Sequence, residues 1–275
     1  MRETAIYPRP TAAVRPSLRA RGGLLRWLAP LSAVLVLLAL WQLVFLLRIY
    51  PPFIVPSPFD VAERFAQVIV DGRLWLHTSA TLSAVLTGLL VGAGAGLALG
   101  YALARNRLLD GMLSPLVVAM QATPIVAYAP LLVIWFGSGI TSKIVTSALI
   151  VFFPTLLNTV VGVRSVPQPL YELMRAQRAT RWQTFAKLEV PSAMPVLLGG
   201  LKIGATLSVI GAVVGEFVST DAGLGFLIEM ARSMYDTPLV LVAVLTLAGI
   251  ALGLYTLVAL LERRLLRWRA RARRP

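Results

Sequence analysis

Few residues in this 275-residue sequence could carry covalent chemistry. His77 is the single histidine, cysteine is absent, and the 12 Asp and Glu side chains are scattered along the chain. No carboxylate or second histidine stands at ligand spacing from His77, which therefore reads as an interfacial side chain. Serine has no partner base, so neither a nucleophile nor an acid–base pair is assembled. Disulfides, thiolate nucleophiles and Cys-based metal sites are excluded outright. Glycine-rich phosphate loops ending in Lys and Ser or Thr are also missing, and Gly88, Gly92, Gly96 and Gly100 follow no strand, so they form no dinucleotide fingerprint. The sequence predicts no catalytic site, no metal and no cofactor of its own; if ATP drives it, the nucleotide binds another chain.

The remaining polar candidates lie inside apolar stretches, where a charge is costly and often functional. Glu216 falls about 30 Å along its helix at ~1.5 Å per residue, at the far boundary of the bilayer. It stands open between a residue at the outer mouth of a pathway and an ordinary interfacial anion. Lys202 lies near the opposite face and can snorkel. Gln121, close to Pro124 in a Pro-rich segment, is a pathway candidate, because backbone groups freed by proline need partners or water.

These residues are positioned by membrane helices. The chain is 57% apolar and only 14% charged, against about 45–50% and about 25% in soluble domains, and its mean hydropathy is +0.78. A span needs roughly 20 apolar residues, and six segments qualify: 28–47, 78–104, 112–136, 144–163, 194–218 and 238–261. Pro115, Pro124 and Pro130 should kink or break the third, which is read as one irregular span. The fold class expected is all-α, a polytopic membrane protein with six transmembrane helices.

Orientation follows from the basic residues. With the N-terminus inside, 20 Lys and Arg fall on cytoplasmic segments and 5 on external ones, the bias expected of cytoplasmic loops. Both termini are therefore placed in the cytoplasm of a cell-membrane protein. Topology explains the net charge of +14, so nucleic acid is not expected as a partner. The first apolar stretch reads as an uncleaved span rather than a secretory signal, being about 20 residues long with no small-residue cleavage site before Arg48.

Residues 1–27 read as a disordered basic arm and 263–275 as a basic tail. Between them, 28–47 is the first span, 48–75 an external amphipathic connection and 76–262 the core. Ser57 can cap a short helix with Pro58 in its first turn. That helix would present Ala62, Phe65, Ala66 and Ile69 on one face, as a packing element at the outer surface. Gly88, Gly92, Gly96 and Gly100, and again Gly200, Gly204, Gly211 and Gly215, leave helix faces without side-chain bulk, so neighbours can approach closely.

The loop 164–192 does not read as a simple connector. Good helix formers run from Leu170 to Val190, closed off by Pro169 and Pro191, with Thr180 a plausible cap for a second helix. Leu170, Leu173, Met174 and Gln177 offer one face; Trp182, Phe185 and Leu188 offer another. Two short helices with apolar faces suggest a docking surface.

This loop resembles that of the integral membrane subunits of binding-protein-dependent ABC importers. Their pattern is Glu-Ala-Ala, three residues, Gly, nine residues, Ile, one residue, Leu-Pro. Here Glu172, Leu188, Val190 and Pro191 stand at the Glu, Ile, Leu and Pro positions with every spacing intact. Leu173 and Met174 replace the alanines, and Arg178 replaces the glycine, which points to a less sharp or shifted turn. The similarity extends from about Leu76 to the C-terminus. It includes Gln121 to Pro124, Ala129 to Gly137, Phe153 with Pro154, Gly211 to Phe217 and Gly223 to Ile228, and is strongest to the subgroup importing sulfonates, taurine, nitrate, thiamine-precursor pyrimidines and riboflavin. The stretch 209–217 is most similar to permeases for pyrimidine precursors and flavins.

The resemblance implies a type I ABC importer transmembrane fold in which Glu172, Leu173, Met174, Arg178, Leu188 and Pro191 form the element seated in a cleft of the ATPase, with Glu172 facing a basic group there. It further implies separate ATPase subunits, an extracytoplasmic solute-binding protein and a second copy of the chain enclosing the pathway. Gln121, Pro124 and Glu216 remain the pathway candidates.

Overall fold

The computed structural model describes residues 23–218 and 222–268. Residues 1–22 of the expected arm and 269–275 of the expected tail lie outside the described residues. Every regular element among those described is helical.

Residues 1–58 and 59–275 form two units. In the first, α1 (Gly23–Leu46) covers the expected first span. The Trp41 indole N–H donates to the Pro56 carbonyl at 2.9 Å, which returns the chain after α1.

The second unit carries α2 (Pro58–Val70), beginning at the proline expected in its first turn. The face it buries differs from the expectation. Val61 and Val68 are buried, while Phe65 and Ile69 are exposed. Arg64 explains the rotation: it lies on the Val61–Val68 side, and its Nε donates at 3.0 Å to Asp236, whose other oxygen caps the last helix by accepting from Leu239 N. The ion pair and two valines outweigh the wider apolar stripe, which is left for lipid or a partner.

Among the described residues, four helices are long and apolar enough to cross a membrane: α3 (Arg73–Arg105), α6 (Ile140–Arg164), the run Arg181–Val218 and α11 (Thr237–Leu265). The third expected span is broken. α4 (Arg107–Ala122) ends at Thr123, a single tight turn covers Ile125–Ala127, and α5 (Ala129–Phe136) stops at Gly137. Pro124 cannot continue the α4 hydrogen-bond ladder and forces its predecessor out of helical geometry, whereas Pro115 is absorbed within α4 and Pro130 sits in the first turn of α5.

The core is built on α6, which lies between α3 and α9 (Val190–Val218). The glycine repeats are the reason. A Cβ at Gly92 would overlap the Ala148 backbone, and one at Gly96 or Gly100 would lie 2.8 Å from Phe152 O or 2.6 Å from Leu156 O. The steps of four on α3 match steps of four on α6, so two backbones touch along one seam. On the other side, Gly211 and Gly215 approach the Cα atoms of Ser147 and Lys143. With no hydrophobic force between helices in lipid, this close van der Waals packing holds the bundle together. Lys202 does not merely snorkel: it forms an ion pair with Glu262 of α11.

Candidate functional site

Two short helices were expected between α6 and α9, and α7 (Gln168–Ala176) is the first. The second is not separate. α8 (Arg181–Thr184), a π-helical turn over Phe185–Glu189, and α9 run on as one helix of 38 residues. Pro191, expected to close the loop, lies inside this helix. Pro191 has no N–H for the carbonyl four residues back. The π turn resets the register just before it, with Val190 N donating to Phe185 O.

The turn between α7 and α8 is sharp despite lacking the glycine. Arg178 takes φ 51°, the left-handed conformation. Ala179 N donates to Met174 O and Arg178 N to Arg175 O, both at 2.9 Å, the paired bonds by which helices commonly end around a glycine. The departure at position 178 thus preserves the turn at the cost of backbone strain, about 1–2 kcal/mol for a residue bearing a Cβ. Thr180 is the cap the sequence suggested: its hydroxyl accepts from Gln183 N at 3.2 Å and Gln183 Oε1 accepts from Thr180 N at 2.8 Å, a reciprocal capping box.

The six loop candidates divide by exposure. Glu172, Leu173 and Arg178 are exposed and Met174 half-buried. Trp182 is 72% exposed and packs at a tilt against Phe185, ring centres 5.4 Å apart. Leu188 is buried and Pro191 half-buried. The first four, with Trp182, present a surface; the last two root the loop in the bundle.

Beside Leu188 is a residue the sequence did not single out. Glu189 is 2% exposed. It accepts from the Tyr101 hydroxyl of α3 at 2.8 Å and pairs with Arg105 at 3.2 Å. The Arg105 guanidinium also lies 5.8 Å from the Tyr171 ring centre on α7, and Phe185 meets Tyr101 edge-on. Burial first, and then the Glu189 carboxylate, push the Tyr171 phenol above its ordinary pKa. One buried carboxylate therefore joins α3, α7 and the root of α9. Only its unexpected ionic character next to Leu188 could have signalled it, since its partners are 84 to 88 residues away.

The pathway candidates are not brought together. Gln121 and Pro124 are exposed at the break after α4. Glu216 is buried and engaged by structure: it accepts from Thr81 Oγ1 at 2.8 Å and Gly225 N at 2.7 Å. Leu224 N donates to Thr81 Oγ1 at 2.8 Å and Gly223 N to His77 Nδ1 at 3.2 Å. His77 is buried within the bundle. Thr81 and His77 on α3, with Glu216 on α9, thus clamp the start of α10 (Leu224–Ser233). Lys143 adds a fourth tie, donating to Ala222 O at 2.6 Å.

Among the described residues the chain is a helical bundle with long apolar helices, an interrupted segment at Pro124 and a helical loop tied to the bundle through Glu189. The family model described as binding-protein-dependent transport system inner membrane component matches residues 88–267, and the chain belongs to that family. It is a multi-pass inner-membrane protein. The riboflavin transport system permease protein RibX of Chloroflexus aurantiacus is 52% identical over 237 residues, covering 86% of this chain and 88% of that protein. The formylaminopyrimidine transport permease protein ThiX of Halalkalibacterium halodurans is 33% identical over 242 residues, covering 88% and 96%. Among solved structures, an inward-facing form of the MetNI methionine ABC transporter matches with a TM-score of 0.63 at 20% identity, over 70% of this chain and 97% of that one. The fold is that of a type I ABC importer permease.

Proposed function

We propose that this permease imports a riboflavin-like vitamin or a pyrimidine precursor, paired with a second copy of itself, driven by separate ATPase subunits and fed by an extracytoplasmic binding protein. In this reading six spans cross the membrane with both termini in the cytoplasm. Residues 28–47 form the first, 48–75 the external connection and 76–262 the core, and the loop 164–192 docks on the ATPase. One observation carries the reading: Trp182, exposed beside Glu172 and Leu173 across the α7–α8 turn, lies on a helix that runs unbroken into a membrane span. A displacement of α8 is passed along 38 residues without crossing a flexible joint, and Glu189 shares it with α3 and α7. ATP-driven closure of the ATPases would draw the paired loops together and turn the spans outward, the two states differing in the free energy with which the loop is held. Gln121 and Pro124, exposed where the third segment breaks, line the proposed pathway; Glu216 anchors the outer end of it.

Uptake in vesicles tests this. Glu172→Ala is expected to lower ATP-dependent uptake while leaving membrane insertion unchanged; normal uptake would count against docking through this loop. The second reading, an ion-coupled carrier, predicts that a proton uncoupler abolishes uptake and a disabled ATPase partner does not. The solute is read from competition: riboflavin and pyrimidine precursors should displace labelled solute from the cognate binding protein, whereas displacement by taurine, sulfonates or nitrate alone would move the assignment to that branch.

A further inference from the structure

Five arginines from separate elements converge on one cleft of about 1240 Å³. Arg105 ends α3, Arg107 opens α4, Arg164 ends α6, and Arg175 and Arg181 flank the turn from α7 to α8. Two carboxylates share the cleft, and each is already paired: Glu189 with Arg105, and Asp110 with Arg164 at 2.8 Å. Arg107, Arg175 and Arg181 have no carboxylate partner among the described residues, so the cleft carries a surplus of positive charge.

Adjoining it is a second cavity of opposite character, about 480 Å³ and almost wholly apolar, lined by Gly94, Leu97, Ala98, Val190 and Leu197. Tyr101, Val163 and Glu189 belong to the walls of both. From Gly94 to Arg105 the groove follows α3 for about 16 Å at ~1.5 Å per residue, close to half of a hydrocarbon core of about 30 Å. A basic chamber at the membrane boundary, continuous with an apolar groove one leaflet deep, is complementary to a molecule that is anionic at one end and hydrocarbon at the other.

We propose that this composite pocket binds an anionic phospholipid of the cytoplasmic leaflet, its phosphate held by Arg107, Arg175 and Arg181 and an acyl chain laid along Gly94, Leu97 and Ala98. The inference rests on the cytoplasmic placement of α7 proposed above. Because Arg175 and Arg181 lie on either side of the docking turn, the lipid would brace that turn against α3 and make coupling depend on the charge of the membrane.

The test uses the assembled transporter in detergent, with dioleoyl phosphatidylglycerol, dioleoyl phosphatidylcholine and glycerol 3-phosphate as probes and native mass spectrometry as the readout. Wild type should retain phosphatidylglycerol in preference to phosphatidylcholine. Replacing Arg107, Arg175 and Arg181 together by Gln should weaken retention about 100-fold, roughly fivefold for each arginine lost. Gly94→Leu should weaken it as well, since a Cβ at Gly94 meets nothing within 4 Å and the added side chain starts out in open space. Equal retention of the two lipids, or undiminished retention by the triple variant, overturns the proposal. Binding of glycerol 3-phosphate that is as strong and indifferent to Gly94→Leu makes this a soluble-phosphate site and overturns the lipid assignment. Release of lipid from the free permease when ATPase subunits are added assigns the arginines to that protein contact and overturns it equally. Retention is read without uptake or hydrolysis, so its failure is distinguishable from failure of the coupling reading, which the Glu172→Ala uptake assay decides.

Discussion

The Tyr101 hydroxyl donates to the Glu189 carboxylate across 2.8 Å, tying the last turns of α3 to the root of the helix that becomes α9. Residues 88 positions apart in sequence thus make the joint between the exposed loop and the bundle. Glu189→Ala should destabilise the permease by about 2 kcal/mol, the order of a lost hydrogen bond to a charged group, with Glu189→Gln costing less because it keeps an acceptor for Tyr101. Thermal unfolding in detergent of these variants, Tyr101→Phe and the double mutants measures it; strictly additive losses would show that the two residues do not act together.

Arg178 occupies left-handed backbone space at φ 51°. Arg178→Gly should therefore raise stability, by about 1 kcal/mol, and Arg178→Val should lower it. A fall in the melting temperature of the glycine variant would mean that the arginine side chain contributes more than its backbone costs.

Glu216 satisfies two buried donors, Thr81 Oγ1 and Gly225 N. Glu216→Ala strands both and should cost about 2–4 kcal/mol, at roughly 1–2 kcal/mol per donor left unpaired. Glu216→Gln should be milder. Were Glu216 instead a pathway residue, Glu216→Ala would depress uptake with no change in thermal unfolding.

Gly92 and Gly94 lie two residues apart on α3 and should respond oppositely. A Cβ at Gly92 would overlap the Ala148 backbone, whereas one at Gly94 meets open space. Gly92→Ala should abolish folded protein or cost more than about 3 kcal/mol, beyond ordinary overpacking, while Gly94→Ala should be neutral or slightly stabilising. Size-exclusion profiles and melting temperatures of the two variants decide it.

Local and periodic information was legible in advance. The long apolar runs, the prolines that interrupt the third, the four-residue glycine repeats and the Thr180 cap each depend on neighbours within a turn or two, so residue type and spacing determined them. The spacing of Glu172, Leu188 and Pro191 likewise marked the loop. What chain order could not supply was who faces whom. Arg64 turned α2 through a partner on the far side of the sequence. Glu216 stood open between an outer-mouth residue and an interfacial anion, and only the fold brings Thr81 and Gly225 against it. Glu189 drew no notice because its value lies in Tyr101 and Arg105. Pro191 appeared to end a helix because only the π turn before it, held by packing on α3, lets the helix pass through. Elements and spans follow from short-range backbone sterics and hydrophobicity, which are written in consecutive residues. The pairing of buried polar groups is an energetic requirement met at long range, and only the folded bundle decides how it is met.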